Sequence, residues 1–229
     1  MISEYKVVPV IHQLAKEWVL KKHYSRSTGI IWETFGLIDQ ESNLCGIICY
    51  GQPSAPISKY AFKEKDFRVY ELTRLVIQTK EKNAASFLIS NSLKMLKSKP
   101  CAIVSYADSA HGHCGIVYQS TNWLYTGPTV SHDSLYVVNG QLLHPMTVRD
   151  RFNVTSLKDW AKENNIERVS PKQKHRYFYF VGNKKEKKTM ISKLNYKIES
   201  VYPKSDKTMY DDGPSLNQKI CVQAEMEWV

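Results

Sequence analysis

The chain has 229 residues, 42% of them hydrophobic and 24% charged, enough apolar material for one substantial core with an extension. It contains no run of about 18 apolar residues, and the opening MISEYKVVPVIHQ lacks a basic leader followed by an apolar stretch; a soluble intracellular protein is expected, with no membrane partner. Thirty-two Lys and Arg against 22 Asp and Glu leave a net charge of +10, which points toward polyanionic partners.

Residues 5–8 predict a short strand, and Ile11, Leu14, Ala15, Trp18 and Val19 then recur at helical spacing, predicting an amphipathic helix that ends near Lys22. Apolar runs at 30–38 and 44–50, joined by the polar turn 39–43, predict a hairpin. The Pro- and Ser-containing GQPSAPISKY that follows reads as a loop. YELTRLVIQ at 70–78 predicts a strand that leads into a helix over 83–97, with Ala85, Leu88, Ile89, Ser92 and Leu96 on one face. CAIVSYAD is almost continuously apolar, as a central strand is, and a short helix at 115–120 and a strand at 123–126 follow. Beyond Gly127, SLYVVNGQLLHP predicts a hairpin, 156–164 a short helix capped by Thr155 or Ser156, and 175–181 an aromatic-rich strand.

This order predicts an α/β fold with a mixed, largely antiparallel central sheet flanked by helices. It is the order of the GCN5-related acetyltransferase-like fold, although spacing alone leaves other α/β arrangements open. Residues 1–130 are expected to form the core, and 131–229 a basic C-terminal extension packed on it. Within that extension, residues 168–207 hold twelve basic and three acidic side chains, interleaved with Tyr177, Phe178, Tyr179, Phe180, Tyr196 and Tyr202. Such a face suits phosphate neutralisation and base stacking, so this region is expected to meet nucleic acid. A solvated charged face over a strand and a helix is the alternative.

The five cysteines are odd in number and mostly sit in apolar segments, so they read as reduced core residues. Cys45 and Cys49, four apart in a strand, are expected to share a face, but no second paired motif completes a metal site.

Three segments could carry chemistry. The first is LTRLVIQTKEKNAASFLI, where a strand runs into a helix that opens on Ala84, Ala85 and Ser86; such a start offers backbone N–H groups to a pyrophosphate. The glycines usual in an acetyltransferase loop are replaced here by Lys80-Glu81-Lys82-Asn83, and a plain junction capped by Asn83 is the simpler reading. The second is SYADSAHGHCGIVYQSTNWLYTG, in which Asp108 ends a buried strand and Tyr118 follows on a short helix; an aspartate can orient or deprotonate an amine, and a tyrosine can return a proton. His111, His113 and Cys114 make only a fragment of a metal site, so metal stays unassigned. The third is HYSRS at 23–27, a polar loop that could close over a substrate. Arg74, in mid-strand, needs an anionic partner or a cleft.

Taken in order, HYSRS, ELTRLVI, SYADSAHGHCGIVYQSTNWLYTG, KHRYFYF and YPKSD resemble the Mom family of phage DNA-modification proteins over roughly residues 11 to 205. The resemblance implies an acetyltransferase-like fold and conversion of adenine in double-stranded DNA to N6-carbamoylmethyladenine, shielding phage DNA from restriction. It further implies a cytoplasmic enzyme of the bacterial host cell, phage- or prophage-encoded, that draws on acetyl-CoA or a related acyl-CoA. By motif, the catalytic positions are Tyr24, Asp108 and Tyr118. The cofactor positions are Arg74, Val76, Ala84, Ala85 and Ser86. The DNA-facing positions are His23, Arg26, Lys174, Arg176, Lys184, Lys185, Lys187 and Lys188.

The product joins nitrogen to a methylene bearing a carboxamide, so attack at a thioester carbonyl does not by itself make it. Something must activate the methyl carbon and supply a second nitrogen; an iron centre or another activator is one answer. The target amine lies on the major-groove edge of a stacked pair, and must be flipped or presented single-stranded. Two other readings fit the same elements: a conventional acyl-CoA N-acyltransferase acting on an amine, and a non-catalytic nucleic-acid-binding protein on the same scaffold.

Overall fold

The computed structural model describes residues 1–23, 25, 27–62, 67–109, 112–129, 134–143, 145–170 and 173–204. Among them a seven-stranded sheet forms from β1 (Lys6–Pro9), β2 (Ile31–Ile38), β3 (Leu44–Gly51), β4 (Arg68–Ile77), β5 (Cys101–Asp108), β6 (Leu124–Pro128) and β10 (Lys174–Val181). The strand order is β1-β2-β3-β4-β5-β10-β6, and every neighbouring pair is antiparallel except β4 and β5. A parallel pair needs a crossover, and α3 (Ala84–Met95) provides it. This is the mixed, acetyltransferase-like arrangement expected from the element order.

Helices cover both faces. On one, α3 lays Leu88, Ile89 and Leu93 against Phe35, Ile48, Tyr50 and Tyr70, and α4 (Ile116–Gln119) adds Tyr118. The buried Tyr50 hydroxyl meets Ser92 Oγ at 2.8 Å, which satisfies both groups and fixes α3 on the sheet. On the other face, α1 (His12–Lys22) turns Ala15, Trp18 and Val19 onto Ile47, Cys49 and Val76. Ile11, expected on that stripe, precedes the helix as its N-cap residue and is exposed. The same face is completed by α2 (Ala55–Tyr60) and α7 (Lys184–Lys193), which bury Ile57 and Met190 against Val104 and Phe178. α2 lies inside the segment expected to be a loop, because Pro56 stands in its first turn, where a proline is tolerated.

The boundary expected at residue 130 does not divide the sheet. β10 comes from the later segment yet lies inside the sheet, between β5 and β6. What stands apart is residues 134–170, where β7 (Leu135–Val138), β8 (Gln141–Leu143) and β9 (Glu167–Val169) make a small second sheet. With α5 (Pro145–Phe152) and α6 (Leu157–Glu163) they enclose a core of Tyr136, Val138, Val148, Leu157 and Ala161. The β7–β8 turn is Asn139-Gly140, both at positive φ, as a two-residue hairpin requires.

Cys45 and Cys49 fall in different core clusters on opposite faces. A register shift at Cys45 inserts one residue into β3 and reverses the alternation, which removes the shared face. No helix among the described residues is long and apolar enough to cross a membrane.

Candidate active site

β4 and β5 pair only from Arg68–Cys101 to Glu71–Val104, after which both strands continue without bonding to each other. An irregularity in the β3–β4 register, with Thr73 as the extra residue, turns the upper part of β4 aside. The result is a wedge whose throat is held by Ser105, which donates through Oγ to the Leu72 carbonyl at 2.9 Å. The Tyr118 hydroxyl lies 2.8 Å from the same Oγ. That bond too is donated by Ser105 Oγ, whose proton is shared between the Leu72 carbonyl and the Tyr118 hydroxyl. The phenol is thus fixed at the throat, its ring packed at 5.0 Å from Trp123 and 5.2 Å from Tyr177.

The opposite face of the same strands carries the charged groups. Val104 faces α2 and α7, so alternation places Tyr106 and Asp108 on that side, and register brings Arg176 and Lys174 beside them. Lys174 Nζ is 3.5 Å from Asp108 Oδ2, and the lysine is half-exposed. Glu71, the last paired residue of β4, is on this face too, where burial pushes its carboxyl above the ordinary range. The Ser54 N–H and the charges of Arg74 and Lys174 oppose that shift without cancelling it. Burial likewise raises the Tyr106 phenol, with the Glu71 charge adding to the effect and a hydrogen bond to the Ser54 side chain opposing it. Ser54, at the start of α2, therefore touches both groups.

The placement of Glu71 gives a pH test. A raised carboxyl means that the folded protein resists the charge, so stability is fully present below the ordinary carboxyl range and is lost as pH rises through the raised value. Glu71→Gln keeps an acceptor for the Ser54 N–H and removes the charge. It is expected to melt above the wild type at neutral pH, with the two melting curves converging in acid; parallel curves at all pH values would refute the burial argument.

Of the positions expected from sequence, Tyr24 and Arg26 lie outside the described residues. His23 Nδ1 accepts from the Ser25 N–H at 3.1 Å and meets Ser25 Oγ at 2.8 Å, so the neutral ring carries its proton on Nε2. Arg74 finds its partners in the same loop: Nε donates to the Ser27 carbonyl at 2.7 Å and Nη2 to Ser27 Oγ at 3.0 Å. It pins Ser27 across β4. Val76 turns into the α1 core, so its side chain faces away from α3.

Ala84 is buried in the α3 core, and Asn83, at φ 65°, makes no side-chain cap for α3. Ser120 Oγ donates to the Val117 carbonyl, so the 3.1 Å contact with Ser86 is a donation from Ser86. This ties the start of α3 to the helix that bears Tyr118.

Arg176 does not present itself to a partner. Its guanidinium lies 3.6 Å over the Tyr196 ring and donates to Thr126 Oγ1 and to the Thr126 carbonyl, and burial lowers its pKa. Lys184, Lys185 and Lys188 are exposed on α7, while Lys187 reaches over Tyr179 at 5.7 Å. They stand toward the opposite end of β10 from Lys174, a separation of about 15–25 Å at the rise of a strand. Glu71, Ser54 and Ser105 were not singled out from sequence; the one signal was polar residues interrupting apolar strands. Among the described residues no group of three or more His, Cys, Asp or Glu is placed to hold a metal ion.

Sheet order and wedge are those of an acetyltransferase-like fold. Solved structures with similar folds include spermidine/spermine N-acetyltransferase SpeG from Vibrio cholerae with manganese ions (11% identity, TM-score 0.47, covering 83% of this chain and 98% of that one). Another is Arabidopsis thaliana NAA60 in complex with acetyl-CoA (12% identity, TM-score 0.45, covering 78% and 99%). Residues 4–204 match the Mom protein family, and the chain belongs to it. It is 29% identical over 211 residues to the methylcarbamoylase mom of Escherichia phage Mu, a match spanning 88% of this chain and 85% of that one.

Proposed function

We propose that this chain is a DNA-modifying transferase that converts adenine in double-stranded DNA to N6-carbamoylmethyladenine with a group derived from acetyl-CoA or a related acyl-CoA, protecting phage DNA from restriction. The observation that carries the reading is the wedge itself: in a Mom-family chain, Tyr118 is fixed at its throat on the α3 face, and Asp108 ends its far strand on the opposite face. In this reading Asp108 orients the adenine amine and accepts its proton, and Tyr118 is a proton donor at the throat. Joining that nitrogen to an acetyl methyl carbon also removes a C–H hydrogen and two electrons, and the carboxamide takes a second nitrogen, so the reaction requires an oxidant and an amine-level nitrogen donor as co-reactants. Tyr24, beside His23, supplies a further polar or stacking contact. An acyl-CoA, when bound, supplies the two-carbon unit. The diverging strands and the uncapped start of α3 at Ala84, Ala85 and Ser86 are residues that fit such a group.

Mass spectrometry of nucleosides from DNA of cells expressing the chain is the test. Appearance of the modified adenosine supports the reading. Unmodified DNA together with an acylated protein or small amine would replace it with a conventional N-acyltransferase.

The α7 lysines are proposed as a second anchor, about 15–25 Å along the face, for the phosphates of the same duplex. Reversing Lys184, Lys185, Lys187 and Lys188 to Glu is expected to weaken DNA binding and to flatten its dependence on salt by roughly one unit of log–log slope for each phosphate left unneutralised. Fluorescence anisotropy between low and moderate salt measures this, and an unchanged slope counts against the anchor.

A further inference from the structure

α1 turns four residues toward the sheet: Ala15, Trp18, Val19 and Lys22. The first three are apolar and fill the core beneath the helix. The fourth puts an ammonium where the stripe calls for a methyl or methylene group. Lys22 is 6% exposed, and its Nζ, inaccessible to solvent, has no hydrogen-bond partner among the described residues. A surface lysine buries its stem and keeps its head in water; this one buries both.

An unpaired buried ammonium is among the costlier features a fold can carry. The C-terminal end of α1 offsets part of that cost, since a cation is favoured in the last turn. A methionine would follow the same path with no charge to satisfy. A buried group whose cost is only partly offset is expected at a functional site, where a ligand supplies what the protein lacks.

The position fits such a site. Lys22 directly precedes His23 and stands five residues before Ser27, which Arg74 holds across β4. Arg74 commits its guanidinium to Ser27 and to the Thr73 carbonyl, so it holds the loop. Lys22 remains as a buried cation without an acceptor among the described residues. Lysine presents a compact point charge with three donors, which suits a phosphate oxygen.

We propose that Lys22 is an anion-binding residue of the substrate site, its ammonium receiving a phosphate oxygen of a bound nucleotide. This rests on the reading of the chain as a nucleotide-using DNA modifier. Two substrates of that reaction carry such phosphates, the DNA strand and the acyl carrier, and the experiment separates them.

Lys22→Met in the full chain is compared with the wild type by thermal melting and by titration with an adenine-containing oligonucleotide and, separately, with coenzyme A. Without ligand, the variant is expected to melt about 3 °C or more above the wild type. Affinity for one of the two ligands is expected to fall about 10- to 100-fold, and the ligand affected identifies the phosphate source. Lys22→Arg, which keeps the charge, is expected to retain more of that affinity than Lys22→Met does. Unchanged affinity for both ligands, or a Lys22→Met protein that melts below the wild type or fails to fold, overturns the proposal. These readouts are independent of whether the wild type modifies adenine, so failure of the proposed function and failure of this site remain distinguishable.

Discussion

Asp108→Ala is expected to remove modified adenosine from cellular DNA by at least about 100-fold, the scale on which a positioned proton acceptor contributes. Asp108 is 14% exposed and pairs with the half-exposed Lys174 at 3.5 Å, so the melting curve of the variant is read beside its activity. The backbone bond from the His113 N–H to the Asp108 carbonyl survives the substitution. Lys174→Ala is the necessary comparison. If Asp108 only clamps β5 to β10, the two variants should lose similar amounts of activity; if it works on the amine, Asp108→Ala loses far more. Nucleoside mass spectrometry and melting curves on both variants decide it, and modification retained in Asp108→Ala would sink the assigned role.

Gly115→Ala is expected to damage fold and site together. Gly115 precedes α4 at φ +82°, and a Cβ there would stand 2.5 Å from Cε2 and 2.7 Å from Cζ of Tyr177. Tyr177 is fully buried and has no room to retreat, because its ring packs at 5.2 Å from both Tyr118 and Tyr125. Its hydroxyl donates at 2.5 Å to the carbonyl of Cys114, the residue before the substitution. Left-handed strain of about 1–2 kcal/mol and overpacking of about 1–3 kcal/mol act together, which should lower Tm by roughly 5–15 °C. Because Tyr177 supports Tyr118, activity should fall even at temperatures where the variant is folded. Gly112→Ala isolates the backbone share: its φ is +72°, but a Cβ there meets nothing within 4 Å. The Gly112 variant should therefore melt well above the Gly115 one, and equal losses would show that the Tyr177 contact is not what makes Gly115 necessary.

Both predictions use residues of one sequence motif, yet spacing alone could not separate them. Gly112 and Gly115 look equivalent in GHCG, and only the approach of β10 distinguishes the two. The same holds for the charged positions. Arg74 and Arg176 both stand out as cations in aromatic or apolar strands, but one pins a loop through Ser27 and the other closes on Tyr196 and Thr126. Glu71 passed unnoticed because a single carboxylate in YELTRLVI reads as the outward-facing member of an alternating strand. It becomes a candidate only when α2 covers that face.

What was legible from sequence is what short-range periodicity encodes. The α1 stripe, the β2–β3 hairpin, the α3 face, the buried β5 run and the Asn139-Gly140 turn each follow from residues within one element or its immediate neighbour, and they suffice for the order of an acetyltransferase-like fold. Motifs with local spacing were legible too, including the Asp108 to Tyr118 segment and its link to the Mom family. Register and face belong to the tertiary structure. Single inserted residues at Cys45 and Thr73 reverse which side chains meet across β3 and β4, and the insertion of β10 between β5 and β6 carries late residues into the middle of the sheet. Those outcomes depend on pairing between segments far apart in the chain, where the free-energy difference between adjacent registers is decided by packing of the whole face rather than by any window of sequence.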